Sequence, residues 1–111
     1  MKIEQRKHGA VLIIRPDGPL TGSDIKPVRE CLNAAMISHA GRFVLDASSI
    51  PFFDSQGLEM LVDFGERIAA TGRSLKICGA NETVREVFEL TEVADLFEYF
   101  DTPGAAARSF A

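Results

Sequence analysis

Ala10-Val11-Leu12-Ile13-Ile14 is an unbroken apolar run, and a strand with no polar face is stable only where both faces are covered. A central strand, and with it a layered fold, is therefore expected near the start of the chain. The mixed stretch Ile3 to Lys7 reads as an outer strand joined to it through His8-Gly9, a tight hairpin connection. Pro16-Asp17-Gly18-Pro19 has the chemistry of a turn and ends the second strand.

Beyond that turn the period changes from strand to helix. Ser23 or Asp24 can cap a first helix, with Pro27 in its first turn, where a missing N–H costs little. Ile25, Val28, Leu32, Ala35 and Met36 recur at helical spacing and form an apolar face, and Gly41 stops the helical region. Phe43-Val44-Leu45 makes the next strand, ending at Asp46, and a second helix runs from about Ser55 to Thr71 with Leu58, Leu61, Val62, Ile68 and Ala69 as its buried stripe. Ser74 to Cys78 is a fourth strand. Asn81 or Thr83 caps a third helix, Thr83 with Glu86 having capping-box spacing, and Val84, Val87 and Phe88 face inward. Leu96 to Phe100 supplies a last short strand and Thr102 to Arg108 a terminal helix. The order β-β-α-β-α-β-α-β-α predicts an α/β fold: a mixed, mostly parallel sheet packed by about four helices, with a hairpin added at the start.

The chain has 111 residues, room for one domain over 1–111. No internal repeat, linker or low-complexity stretch divides it. An apolar fraction of 46% with 25% charged residues is ordinary for a soluble globular protein. A formal charge of -4 argues against a dedicated nucleic-acid binder, which needs clustered Lys and Arg. Neither a signal-peptide core nor a run long enough to cross a bilayer is present, so no membrane insertion is expected. Cys31 and Cys78 stand far apart without metal or redox spacing and read as small buried hydrophobes in a reducing compartment, the cytoplasm.

Catalytic patterns fail in turn. His8 and His39 have no acidic or cysteine neighbour at ligand spacing, so no metal is expected. Gly18 to Ser23 lacks the Lys-Ser/Thr ending of a phosphate loop, and the dinucleotide fingerprint is absent, so no cofactor is implied. No serine lies in a nucleophile elbow or beside a base. One segment stands out: Phe52-Phe53 followed by Asp54-Ser55-Gln56-Gly57, where a helix begins. Asp54 is a natural N-cap, which puts Ser55 at the first helical position, beside unsatisfied N–H groups and the positive end of the helix dipole. A phosphate there would add about -1.5 to -2 of charge that the helix end tolerates and Asp54 partly opposes. The same residues also fit a plain cap followed by an exposed serine.

Val44-Leu45-Asp46, then Ile50-Pro51-Phe52-Phe53-Asp54-Ser55-Gln56-Gly57-Leu58, closely resembles the signature of the STAS domain, shared by sulfate transporters and anti-sigma factor antagonists. The likeness extends over nearly the whole chain, from the opening hairpin and the Gly18 to Leu20 turn to Thr71-Gly72 and Val84 to Leu90. It implies a non-catalytic binding protein whose partner, an anti-sigma factor serine kinase, phosphorylates Ser55 and is released by that phosphate, with a serine phosphatase resetting the switch. Asp54 would be cap and partner contact, and Gly57 would permit close backbone approach. Gln56 departs from the family's usual second Ser or Thr, and Thr21 from an acidic residue of the kinase-facing surface, with Asp24 three residues on as a substitute. Thr21, Asp24, Asp54, Ser55, Gln56 and Gly57 are thus the expected partner-binding residues. Two other readings stand beside this one: a constitutive STAS scaffold in a lipid-transport or other signalling assembly, and a small hydrolase using Ser55.

Overall fold

The computed structural model describes residues 1–110. Its strands are β1 (Lys2–His8), β2 (Val11–Asp17), β3 (Phe43–Asp46), β4 (Leu75–Cys78) and β5 (Phe97–Phe100), and its helices are α1 (Ile25–Ser38), α2 (Ser55–Ala69), α3 (Glu82–Leu90) and α4 (Pro103–Arg108). The strands lie in the sheet in chain order, β1 antiparallel to β2 and the rest parallel. That order has a consequence. Crossovers between parallel strands share one hand, so three that each step one strand in the same direction put their helices on one face. Accordingly Leu12, Ile14, Phe43, Leu45, Leu75, Ile77 and Phe97 from alternate strand positions pack with Val28 and Leu32 of α1, Leu61 and Phe64 of α2 and Val84 and Phe88 of α3. The opposite face keeps a smaller core, Val11, Ile13, Val44 and Cys78 under Ala106 and Ala107 of α4. Both faces of β2 are covered, as its continuous apolar run requires.

The element order is as expected, and several details differ. Ala10 belongs to the turn with Gly9, and β2 runs on through Pro16 and Asp17. Proline is tolerated there because the N–H of Leu12 faces β3, so Pro16 faces that side too, beyond the last paired rung, Ile14 with Leu45. Neither Ser23 nor Asp24 caps α1 with its side chain. A 3-10 turn over Gly22–Asp24 precedes the helix, so Asp24 is already in the helical region (φ -76°, ψ -16°) and cannot aim its carboxylate back at the N–H groups. A second 3-10 turn takes up Ala94–Leu96, leaving Leu96 out of β5. Asn81, not Thr83, caps α3, its Oδ1 accepting from the N–H of Val84 at 2.8 Å.

The stripe on α2 is displaced by one position from the expected one. Gly57, Met60, Leu61, Phe64, Gly65 and Ile68 are buried, Leu58 and Val62 are half-buried, and Ala69 is exposed. Two glycines lead to this phase: a Cβ on Gly65 would sit 2.8 Å from Leu96, so the helix approaches its neighbours most closely along its glycines. Cys78 is buried and Cys31 half-buried. Among the described residues no helix is long and apolar enough to cross a membrane.

Candidate functional site

The two loops that leave the ends of β2 and β3 meet and pair. The N–H of Gly18 donates to the carbonyl of Ser49 at 3.0 Å, that of Leu20 to Phe52 at 3.1 Å, and that of Asp54 to Leu20 at 3.2 Å. Leu20 and Phe53 thereby form a single parallel bridge outside the sheet. Both are apolar for a reason: Leu20 is fully buried, and Phe53 stacks on Phe88 with ring centroids 5.4 Å apart. The Thr21 to Asp24 segment is in this way carried to the start of α2, although more than thirty residues separate Gly22 from Asp54.

At that start Asp54 is extended (φ -92°, ψ -174°) and its Oδ1 accepts from the N–H of Gly57 at 2.9 Å. This is the expected cap, with Ser55 at the first helical position. Oδ2 accepts from the N–H of Gly22 at 3.3 Å, so the same carboxylate spans the two loops. Ser55 and Gln56 are exposed, Thr21 and Asp24 half-buried. Gly57 is buried, and a Cβ there would lie 2.4 Å from the carbonyl oxygen of Leu20. The close backbone approach expected of this glycine is made by Leu20 of the same chain. Gly22, at φ +52°, occupies the left-handed region in which glycine is at no disadvantage. The expected residues are thus gathered around one helix end, with Ser55 at its exposed tip. Among the described residues no His, Cys, Asp and Glu side chains gather in threes as a metal would need.

Two residues outside the expected partner-binding set also shape this face. Phe52 is 50% exposed, an aromatic ring left in solvent three positions before Ser55. Its flanks are fixed: its own carbonyl accepts from Leu20, and that of Pro51 accepts from Asn81 Nδ2 at 3.1 Å. Asn81, legible only as a helix cap, therefore also holds the loop in front of α2. No local signal reveals a contact across that span of chain.

A family model described as the STAS domain matches residues 2–106, from β1 into α4. The chain belongs to the STAS domain family. Among curated relatives of this STAS domain, BtrV of Bordetella bronchiseptica, which carries the name of an anti-sigma factor antagonist, is 26% identical over 110 residues, 99% of this chain and 95% of the relative. The anti-sigma F factor antagonist of Paenibacillus polymyxa is 24% identical over 102 residues, 91% of this chain and 87% of the relative. Solved structures agree on the fold. One from Thermotoga maritima, described as an anti-sigma factor antagonist, superposes with a TM-score of 0.84 at 19% identity, covering 96% of this chain and 92% of its own. The anti-sigma factor antagonist SpoIIAA in its unphosphorylated form gives 0.73 at 16% identity, covering 98% and 96%. The phosphorylated form of Bacillus SpoIIAA gives 0.71 at 16%, covering 97% and 99%.

Proposed function

We propose that this STAS domain is an anti-sigma factor antagonist, a cytoplasmic binding protein without catalytic activity, whose hold on an anti-sigma factor serine kinase is released by phosphorylation of Ser55. The observation that carries the reading is the position of Ser55: exposed, first in α2, at the tip of the face built by Thr21, Asp24 and Gln56 on the frame of Asp54 and Gly57. An acceptor serine must reach into another protein's active site, and this one lies on the outside of a rigid helix start. Two SpoIIAA structures, one of each phosphorylation state, superpose on this chain about equally well, which supports a switch that leaves the fold in place.

The physical account is one of charge. A phosphate on Ser55 would carry about -1.5 to -2. The N-terminal dipole and free N–H groups of α2 favour that charge, so the helix has no reason to unravel. What changes is the face. An uncharged hydroxyl next to Asp54 becomes a concentrated negative site, and a partner fitted to the hydroxyl must then bury an unpaired charge. A serine phosphatase would restore the binding form. Capture from cell extract with wild-type, Ser55→Ala and Ser55→Asp baits tests this. Wild type and Ser55→Ala should retain an ATP-dependent serine kinase and Ser55→Asp should lose it. Equal capture by all three baits, or recovery of a transport ATPase in place of a kinase, would instead make the protein a constitutive scaffold.

A further inference from the structure

A helix N-cap needs one acceptor, and Asp, Asn and Ser serve that purpose about equally. Asp54 does more. Its two oxygens accept from two backbone N–H donors on different segments, Gly57 within α2 at 2.9 Å and Gly22 in the preceding loop at 3.3 Å. Only a carboxylate can do this, since an amide offers a donor on its second prong and a hydroxyl is too short to span both. The rest of the loop has no equivalent tie to α2. The paired backbone bonds stop at Leu20, the bond from the N–H of Asp24 to the carbonyl of Thr21 is local, and the Met1 amine, 3.6 Å from Asp24, leads to β1.

We infer that Asp54 is a positioning residue: its carboxylate clamps the Thr21 to Asp24 loop to the start of α2, so that the loop and Ser55 are presented to the partner as one surface. With both oxygens engaged by backbone N–H groups of its own chain, Asp54 acts on recognition through the loop it holds. The functional half of this inference rests on the reading of Ser55 as the centre of the docking face; the structural half does not. The clamp also explains why Gly22 and Gly57 bracket the site. One must bring its N–H to the carboxylate from a left-handed turn, and the other must let the helix start close against Leu20.

The test uses Asp54→Asn and Asp54→Ser, both of which keep an acceptor for the N–H of Gly57 and lose the one for Gly22. Amide exchange and backbone resonances are followed by NMR in the free protein, and binding to the anti-sigma kinase is measured in parallel. The Gly22 amide should exchange about fivefold faster or more in both variants, its resonance moving while that of Gly57 stays near its wild-type position. Kinase affinity should fall with Ser55 intact. Gly22 exchange and shift unchanged in both variants would overturn the clamp. A released Gly22 with undiminished kinase affinity would overturn its role in recognition. Failure of the wild-type protein to bind any such kinase would count against the proposed function, while the Gly22 measurement would still decide the clamp.

Discussion

Replacing Gly57 with alanine places a methyl group 2.4 Å from the carbonyl oxygen of Leu20, 3.0 Å from Cβ of Phe53 and 3.1 Å from Cβ of Leu20. Carbon atoms in comfortable contact stand about 3.5–4.0 Å apart, so the neighbours must yield. In an unconstrained helix the same change would stabilise by up to about 1 kcal/mol. Here the obstacle is backbone held on both sides, the N–H of Leu20 bonded to Phe52 and its carbonyl to the N–H of Asp54. Overpacking of this kind costs about 1–3 kcal/mol, and a displaced backbone bond about 1 kcal/mol more. Subtracting the helix gain leaves a net loss of about 2 kcal/mol. With an unfolding entropy of about 2.1 cal/mol/K per residue, a chain of this length should lose about 9 °C in Tm. Thermal unfolding followed by circular dichroism measures it, with Gln56→Ala as the control, since Gln56 is exposed and its truncation should change little. A Tm for Gly57→Ala equal to or above wild type would refute the claim that Leu20 and α2 are locked together.

Two further perturbations probe the frame. Asn81→Ala removes the cap on Val84 and the bonds to Ile50 and Pro51, and should lower the urea midpoint by the equivalent of about 1–2 kcal/mol while loosening the loop that carries Phe52. Burial, and then the neighbouring Asp46 carboxylate, push the Cys78 thiol up to about 12. An unfolded thiol titrates near about 8.5, so the neutral form is favoured by folding; that stability is fully present below the unfolded value and is lost as pH rises toward the folded one. Urea midpoints between about pH 8 and pH 11 should therefore fall more steeply for wild type than for Cys78→Ala. Parallel slopes would contradict the assignment.

The sheet and helices were legible because their signals are local. The apolar run of β2, the caps at Asp54 and Asn81 and the period of α1 each reside in a few adjacent residues. The stripe of α2 was misphased because glycine adds nothing to an apolar pattern, yet Gly57 and Gly65 mark where the helix packs closest. The turn over Gly22–Asp24 was missed because Asp24 looks like a cap in sequence, whereas its N–H bonds to the carbonyl of Thr21 and closes a 3-10 turn ahead of α1. The site shows the same division. Asp54-Ser55-Gln56-Gly57 could be placed at a helix start from its own chemistry. The pairing of Leu20 with Phe53, and the hold of Asn81 on Pro51, join segments about thirty residues apart and leave no mark in either segment alone.

Incubation with ATP and the anti-sigma kinase, followed by phosphosite mapping and by measurement of complex remaining, bears most directly on the proposed Ser55 switch. A single phosphate on Ser55, none on Ser55→Ala, and dissociation of the complex in step with phosphorylation are the predicted results. Phosphate on another residue such as Thr21 or Ser23, or a phosphorylated protein that stays bound, would contradict it.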